Sequence, residues 1–234
     1  MNSNFISQNF LLINPKKIIF SINEDYSFKE LVKKEKIINS NSKFLQSEIL
    51  NSFLDENILD IEQQIKDFIK KIYLIIDSDD FFSFQISIKK KNYGNILDEK
   101  KLIHVLNEVK NDCKKTLEKR RLIHMTIENY YIDEKNYSDL PINMKCENFS
   151  LDIKLICISE DLIKDLERIL KNYQISIEKI ISASYVRRFF PQDEHNFFEM
   201  SKRIIDGYNK NEIQFVIKSP TNKGFFEKFF NLFS

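Results

Sequence analysis

Glycine is nearly missing from this sequence: Gly94, Gly207 and Gly224 are the three in 234 residues. A P-loop or a dinucleotide fingerprint needs clustered glycines so that backbone N–H groups can approach phosphate. These three stand far apart, which excludes both of those nucleotide-binding solutions. Cysteine is sparse as well. Cys113, Cys146 and Cys157 show no CxxC spacing, and an odd, dispersed set suits free thiols in a reducing compartment better than a disulfide framework. A surplus of one charge sign is also lacking, since 36 basic and 35 acidic side chains leave a formal +1. That balance argues against a dedicated nucleic-acid binder, which carries a net basic face. Tryptophan is absent while Lys, Asn, Ile and Phe are heavily used. In such a composition a run like Lys89-Lys90-Lys91 reads as solvated surface. No apolar stretch approaches the roughly 20 residues of a membrane span. Residues 1–8 carry neither the positive charge nor the long apolar run of a signal peptide. A cytoplasmic protein is expected.

The residues of common catalytic chemistry are equally scattered. The three histidines, His104, His124 and His195, form no HExxH or His–Cys constellation. His104 lies on a predicted helix, His195 in a polar loop, and His124 in a predicted strand, where a lone histidine reads as structural. Asp77, Asp79 and Asp80 read as a strand-end turn and not as a cation site. No GxSxG elbow or Cys–His motif occurs. We therefore assign no catalytic residue, no metal ligand and no cofactor, and expect that the protein is not an enzyme.

What is present is a regular alternation of strand and helix patterns. Hydrophobic residues make up 42% of the chain, enough for a sizeable core. Residues 10–13 and 18–22 flank Asn14-Pro15-Lys16-Lys17 as a β-hairpin, and a third strand is expected over residues 35–38. Residues 55–71 have Ile58, Ile61, Ile65, Phe68 and Ile72 at helical spacing on one face. Tyr73-Leu74-Ile75-Ile76 reads as a buried central strand. Phe82, Phe84, Ile86 and Ile88 alternate with polar residues, as in a half-buried strand. Residues 98–119 form the longest helix, with Leu102, Leu106, Val109, Cys113 and Leu117 inward. Strands follow at 122–132 and 149–158, with a loop between them. Ser159 caps a helix that turns Leu162, Leu166, Ile169, Leu170 and Tyr173 inward, and Glu160 and Asp161 complement its dipole. Strands at 175–182 and 213–217 and a helix at 196–208 complete the pattern. The class is α/β or α+β. Ser219-Pro220-Thr221-Asn222-Lys223-Gly224 has linker composition.

The order strand, helix, strand, strand over residues 81–158 resembles the SHS2 module. The flanking sequence is similar to the bacterial actin-like cell-division family of FtsA. KKIYLIID at residues 70–77 resembles the strand that leads into the inserted subdomain of that family. LIHMTIENYYID at 122–133, LPINMKCENFSLDIKLICIS at 140–159 and QISIEKIISASYV at 174–186 resemble, in order, the segments that follow. The resemblance spans residues 61–186. The chain departs from the family at its phosphate loops. The turn Ile13-Asn14-Pro15-Lys16 lacks the aspartate and glycine of the first, the second is missing, and no room is left for the second actin lobe.

The resemblance implies a shortened form. Residues 1–80 with 160–190 would be a discontinuous actin-like first-lobe remnant, and 81–159 the inserted SHS2 subdomain. Residues 191–218 would hold a C-terminal helix and strand, and 219–234 a linker and a membrane-targeting amphipathic helix. On that tail Phe225, Phe226, Phe229, Phe230, Leu232 and Phe233 would enter the membrane surface, with Lys223 and Lys228 beside anionic lipid. The implied function is a non-catalytic cell-division adaptor at the inner face of the cell membrane, at the division site. Its partners would be cell-division proteins, with self-association through the SHS2 subdomain and no nucleic acid. FtsZ-tail binding is not expected, because the lobe that receives that tail is missing. The alternatives are an SHS2, actin-like component of pilus or secretion machinery, and a divergent actin-like ATPase.

Overall fold

The computed structural model describes residues 7–39, 47–139, 141, 143–190 and 197–213. The chain is α/β, with two sheets and five helices among these residues. The first sheet begins as the expected hairpin, β1 (Ser7–Asn14) and β2 (Lys17–Glu24). Its turn is shaped by Asn14, whose Oδ1 accepts from the backbone N–H groups of Lys16 (2.8 Å) and Lys17 (2.7 Å). The third strand, β3 (Glu30–Ile37), starts five residues before the expected 35–38. It is an edge strand of alternating exposure, so it shows no apolar run to mark its start.

The helix expected at 55–71 is displaced. Helix α1 spans Ser47–Ile65 and buries Leu50, Phe53, Leu54, Ile58 and Ile61. Lys66 adopts a left-handed φ of 58°, which ends the helix without the customary glycine. Phe68, expected inward, is 73% exposed, and Ile72 belongs to the next strand, β4 (Lys71–Ile76). The first sheet has the order β3-β2-β1-β4-β9, with β9 at Ser176–Ser182. β4 runs parallel to both β1 and β9. Helices α1 and α3 (Glu160–Asn172) cover one face. On the other face lie α4 (Ala183–Phe189) and α5 (Phe197–Ile205). Helix α4 was not expected, since seven residues give too short a period to recognise. Ser159 caps α3 as anticipated, its Oγ accepting from Leu162 N–H at 3.4 Å.

The second sheet is drawn from the residues between β4 and α3, in the order strand, helix, strand, strand, strand, one short strand more than the expected strand, helix, strand, strand. It is antiparallel, β5-β8-β6-β7. The strands are β5 (Phe82–Lys91), β6 (Arg120–Ile132), β7 (Lys135–Tyr137) and β8 (Asn148–Ser159). Helix α2 (Glu99–Thr116) packs on one face through Leu102, Val105, Leu106 and Val109, with Asp98 as its N-cap. Strand β7 falls in the expected loop. Asp133 and Glu134 have φ of 44° and 73°, so the chain reverses in two left-handed residues without the Asn-Gly or Asp-Gly that signals such a turn. The two sheets share a core. Ile123 of β6 and Ile158 of β8 pack with the first sheet under α1 and α3.

Candidate functional site

In an open sheet with parallel strands, ligands bind in the crevice outside the carboxyl ends of those strands. Here that crevice lies beyond Asn14 of β1, Asp77 after β4 and Ser182 of β9. Its polar groups are engaged with one another. Asn14 Oδ1 takes the two turn N–H groups, and Asp77 N–H donates to Ile13 O at 2.9 Å. Arg187 of α4 reaches back and donates from both terminal nitrogens to Asp77 Oδ1 and Oδ2, each at 2.8 Å. The Arg187 guanidinium holds the Asp77 carboxyl below the usual carboxylate range, against the opposing effect of burial. Asp80 is tied into its turn by Ser78, whose Oγ donates to Asp80 Oδ2 (2.9 Å) and accepts from Asp80 N–H (3.1 Å). Among the described residues no cluster of three His, Cys, Asp or Glu side chains fits a metal ion.

The second sheet offers a different surface. Strand β5 pairs with β8 along ten residues, and its outer edge has no strand partner among the described residues. Phe84, Ile86 and Ile88 are half-buried and face Val109, Cys113 and Leu117 of the α2 end across a groove of about 430 Å³. One rim is charged: Lys90 Nζ bonds Glu108 Oε2 at 2.6 Å, and that contact lowers the Glu108 carboxyl. At the other end Phe82 stacks on Phe84 at 5.5 Å and carries Arg120 over its ring at 5.8 Å. Burial pushes the Cys113 thiol up, with Asp112 acting in the same direction. It therefore lines the groove as a small apolar group and not as a nucleophile. The groove joins an apolar wall to an edge that no described strand pairs, the combination that receives an extended peptide as an added strand.

A third constellation sits where the two sheets meet. His124 of β6 is fully buried, its Nδ1 is 2.7 Å from Glu212 Oε1, and its Nε2 accepts from Ser182 N–H at 3.1 Å. Tyr185 stacks on the imidazole at 4.0 Å and bonds Thr126 Oγ1 (3.0 Å) and Asn209 Nδ2 (2.8 Å). A backbone N–H can only donate, so Nε2 is the acceptor and Nδ1–H donates to Glu212. Ser182 contributes its amide and not its hydroxyl; Ser182 Oγ is 2.8 Å from Ser184 Oγ. This clamps the segment after α5 to β6 and to the end of β9. His104 is exposed beside Glu108, and His195 lies outside the described residues. The membrane-facing residues expected at Lys223, Phe225, Phe226, Lys228, Phe229, Phe230, Leu232 and Phe233 also lie outside them. None of the described helices is long and apolar enough to cross a membrane.

No family model matches the sequence, and no curated protein matches it. Among solved structures the chain is similar to a PilM–PilN type IV pilus biogenesis complex, with 6% identity, 79% of this chain and 50% of that chain covered, and a TM-score of 0.48. It is similar to the cytoplasmic domain of EpsL, an inner-membrane component of the type II secretion system of Vibrio cholerae, with 6% identity, 77% and 59% coverage, and a TM-score of 0.41. A protein of unknown function with an actin-like ATPase fold from Bacteroides thetaiotaomicron gives 14% identity, 78% and 55% coverage, and a TM-score of 0.34. The chain spans 50–59% of the length of these structures.

Proposed function

We propose that this chain is a non-catalytic, FtsA-like adaptor: a partial actin-like first lobe carrying an SHS2 subdomain, which binds cell-division proteins at the cytoplasmic face of the membrane. The observation that carries the adaptor reading is the edge of β5, which has no strand partner among the described residues, backed by the groove of Phe84, Ile86, Ile88 and Val109. An extended segment of a partner would add to that edge through main-chain hydrogen bonds, and its alternate apolar side chains would enter the groove. The crevice beyond β1, β4 and β9 supports the non-catalytic reading. Its turn amides are already accepted by Asn14 and the Arg187 guanidinium is committed to Asp77, so a phosphate bound by these groups would have to displace existing partners. The division assignment rests on the ordered resemblance across residues 61–186.

The test has two arms. Calorimetric titration with ATP and magnesium is expected to give no heat of binding, and a micromolar affinity would overturn the non-catalytic reading. In cells, the tagged protein is expected to concentrate at mid-cell. Phe82→Ser, at the 45% exposed end of the β5 apolar face, is expected to weaken that signal while melting near the wild type. An even membrane distribution of the wild type, or focusing at pilus or secretion complexes, would sink the division reading.

A further inference from the structure

The outer edge of β5 has a chemistry that matches itself. Phe82, Phe84, Ile86 and Ile88 lie on the groove side, and Ser83, Gln85 and Ser87 are exposed on the other. Beyond this apolar stretch the chain is charged at both ends, with opposite sign. Lys89, Lys90 and Lys91 follow Ile88, while Asp79 and Asp80 sit in the turn before Phe81. Lys90 and Asp80 have partners within the chain, Glu108 and Ser78. Lys89, Lys91 and Asp79 are exposed and make no ion pair or side-chain hydrogen bond among the described residues.

Run antiparallel to a copy of itself, this edge brings the lysine end of one chain along the aspartate end of the other. The register follows from the side chains. Residues directly opposite in an antiparallel pair project to the same face, so the groove-side residues must meet one another. A slip of one residue would set them against the polar side. Pairing Phe82 with Ile88 and Phe84 with Ile86 meets this condition and centres the pair on Gln85. It also carries Lys90 and Lys91 to the turn that holds Asp80 and Asp79. Sliding two residues one way would set Lys90 against Phe82, and sliding two the other way would set Asp80 against Ile88.

We propose that two copies of this chain pair through their β5 edges, antiparallel about a two-fold axis at Gln85. Each copy then covers the exposed edge of the other, which an edge with an apolar side needs. The two four-stranded sheets become continuous, with both α2 helices on the groove side. The same patch serves on both copies and is used up by the contact, so association stops at two. This rests on the reading of β5 as a docking edge and names what covers that edge when no other strand does. A strand from a different protein would have to displace the second copy.

Sedimentation velocity on the purified 234-residue chain tests this. A dimer is expected at about 100 μM protein, and a monomer there would overturn the proposal. Lys91→Asp and Asp79→Lys change exposed side chains and set like charges together twice across the axis. Each is expected to weaken the dimer at least about ten-fold. Mixed in equal amounts, the two variants are expected to recover it, because each lysine of one then meets an aspartate of the other. Association that neither variant changes, or a mixture that stays monomeric, would overturn the proposal. So would assemblies that grow past two copies with concentration. Under mild oxidation Gln85→Cys is expected to form a linked dimer faster than Ser83→Cys or Ser87→Cys, and equal rates would refute the two-fold axis and the proposal with it. A failure in purified protein leaves the mid-cell test of the adaptor reading untouched, and a failure of that test leaves these results untouched.

Discussion

The buried His124–Glu212 pair makes stability depend on pH in a direction that geometry fixes. Nε2 of His124 faces the Ser182 N–H, so a proton added there sets donor against donor. Burial is the largest influence on the ring and holds its pKa below the ordinary 6.5, Lys179 acts the same way, and Glu212 opposes both. A histidine depressed in the folded state contributes stability that is fully present above its unfolded pKa, near 6.5, and is lost as the pH falls below it. One proton limits the slope to about 1.4 kcal/mol per pH unit. Glu212→Leu leaves the Nδ1–H buried without an acceptor, at about 1–3 kcal/mol. In a chain of this length each kcal/mol moves the melting temperature by about 2–4 °C, so a fall of roughly 2–12 °C at neutral pH is expected. His124→Phe keeps a ring to stack on Tyr185 and removes the titrating group. It is expected to be destabilised at neutral pH, since Ser182 N–H and Glu212 lose their partner, but to lose less further stability on acidification than the wild type does. The two changes share one interaction, so the double variant should fall short of the sum of the singles. Thermal unfolding followed by circular dichroism between about pH 7.5 and 5.5 reads all four proteins. If His124→Phe keeps the wild-type acid slope, or Glu212→Leu melts with the wild type, the clamp does not carry the energy assigned to it.

Two further predictions concern the α2 face and the tail. Leu106, 8% exposed on α2, changed to Asp buries an unpaired charge against the second sheet. Several kcal/mol should be lost, and an unchanged melting temperature would show that this helix face is not packed as described. Removing residues 223–234, which contain the Phe-rich segment, is expected to abolish flotation with anionic liposomes. Equal flotation of the two chains would remove the proposed membrane anchor.

The elements legible in the sequence are those whose burial pattern repeats over several turns or pleats. Helices α2 and α3 present apolar residues at three- and four-residue spacing, β1 and β4 are flanked on both faces, so their apolar content is dense, and β8 alternates polar and apolar residues over most of its length. The misplaced boundaries have local causes. Lys66 and the Asp133-Glu134 turn adopt left-handed backbone with side chains that do not signal it. Periodicity therefore ran on past Ile65, and β7 passed for loop. At the start of α1, Leu50, Phe53 and Leu54 continue the apolar face upstream of residue 55. The junction was illegible for another reason. His124 and Glu212 are 88 residues apart, and Asp77 and Arg187 are 110 apart. No local spacing connects such residues, because the sheet order alone brings them together.

Each sheet has one outer edge far from the junction, β3 in the first and β5 in the second, and the chain treats these two differently. On β3 the edge is blunted by charge: Lys34 pairs with Asp60 at 2.5 Å and Lys36 with Glu56 at 3.0 Å, both carboxylates on α1. Side chains tied down in this way discourage another strand from docking. On β5 the charges gather at one end, in Lys89, Lys90 and Lys91, while Phe82 to Ile88 keep an alternating apolar face over an open groove. An exposed edge of ten residues with an apolar face invites aggregation unless something covers it. If the partner strand docks there, Lys90 and its neighbours fix register at one end and Phe82 with Arg120 close the other. The contrast between β3 and β5 within one fold is the physical reason to place partner binding on the second sheet and not on the first.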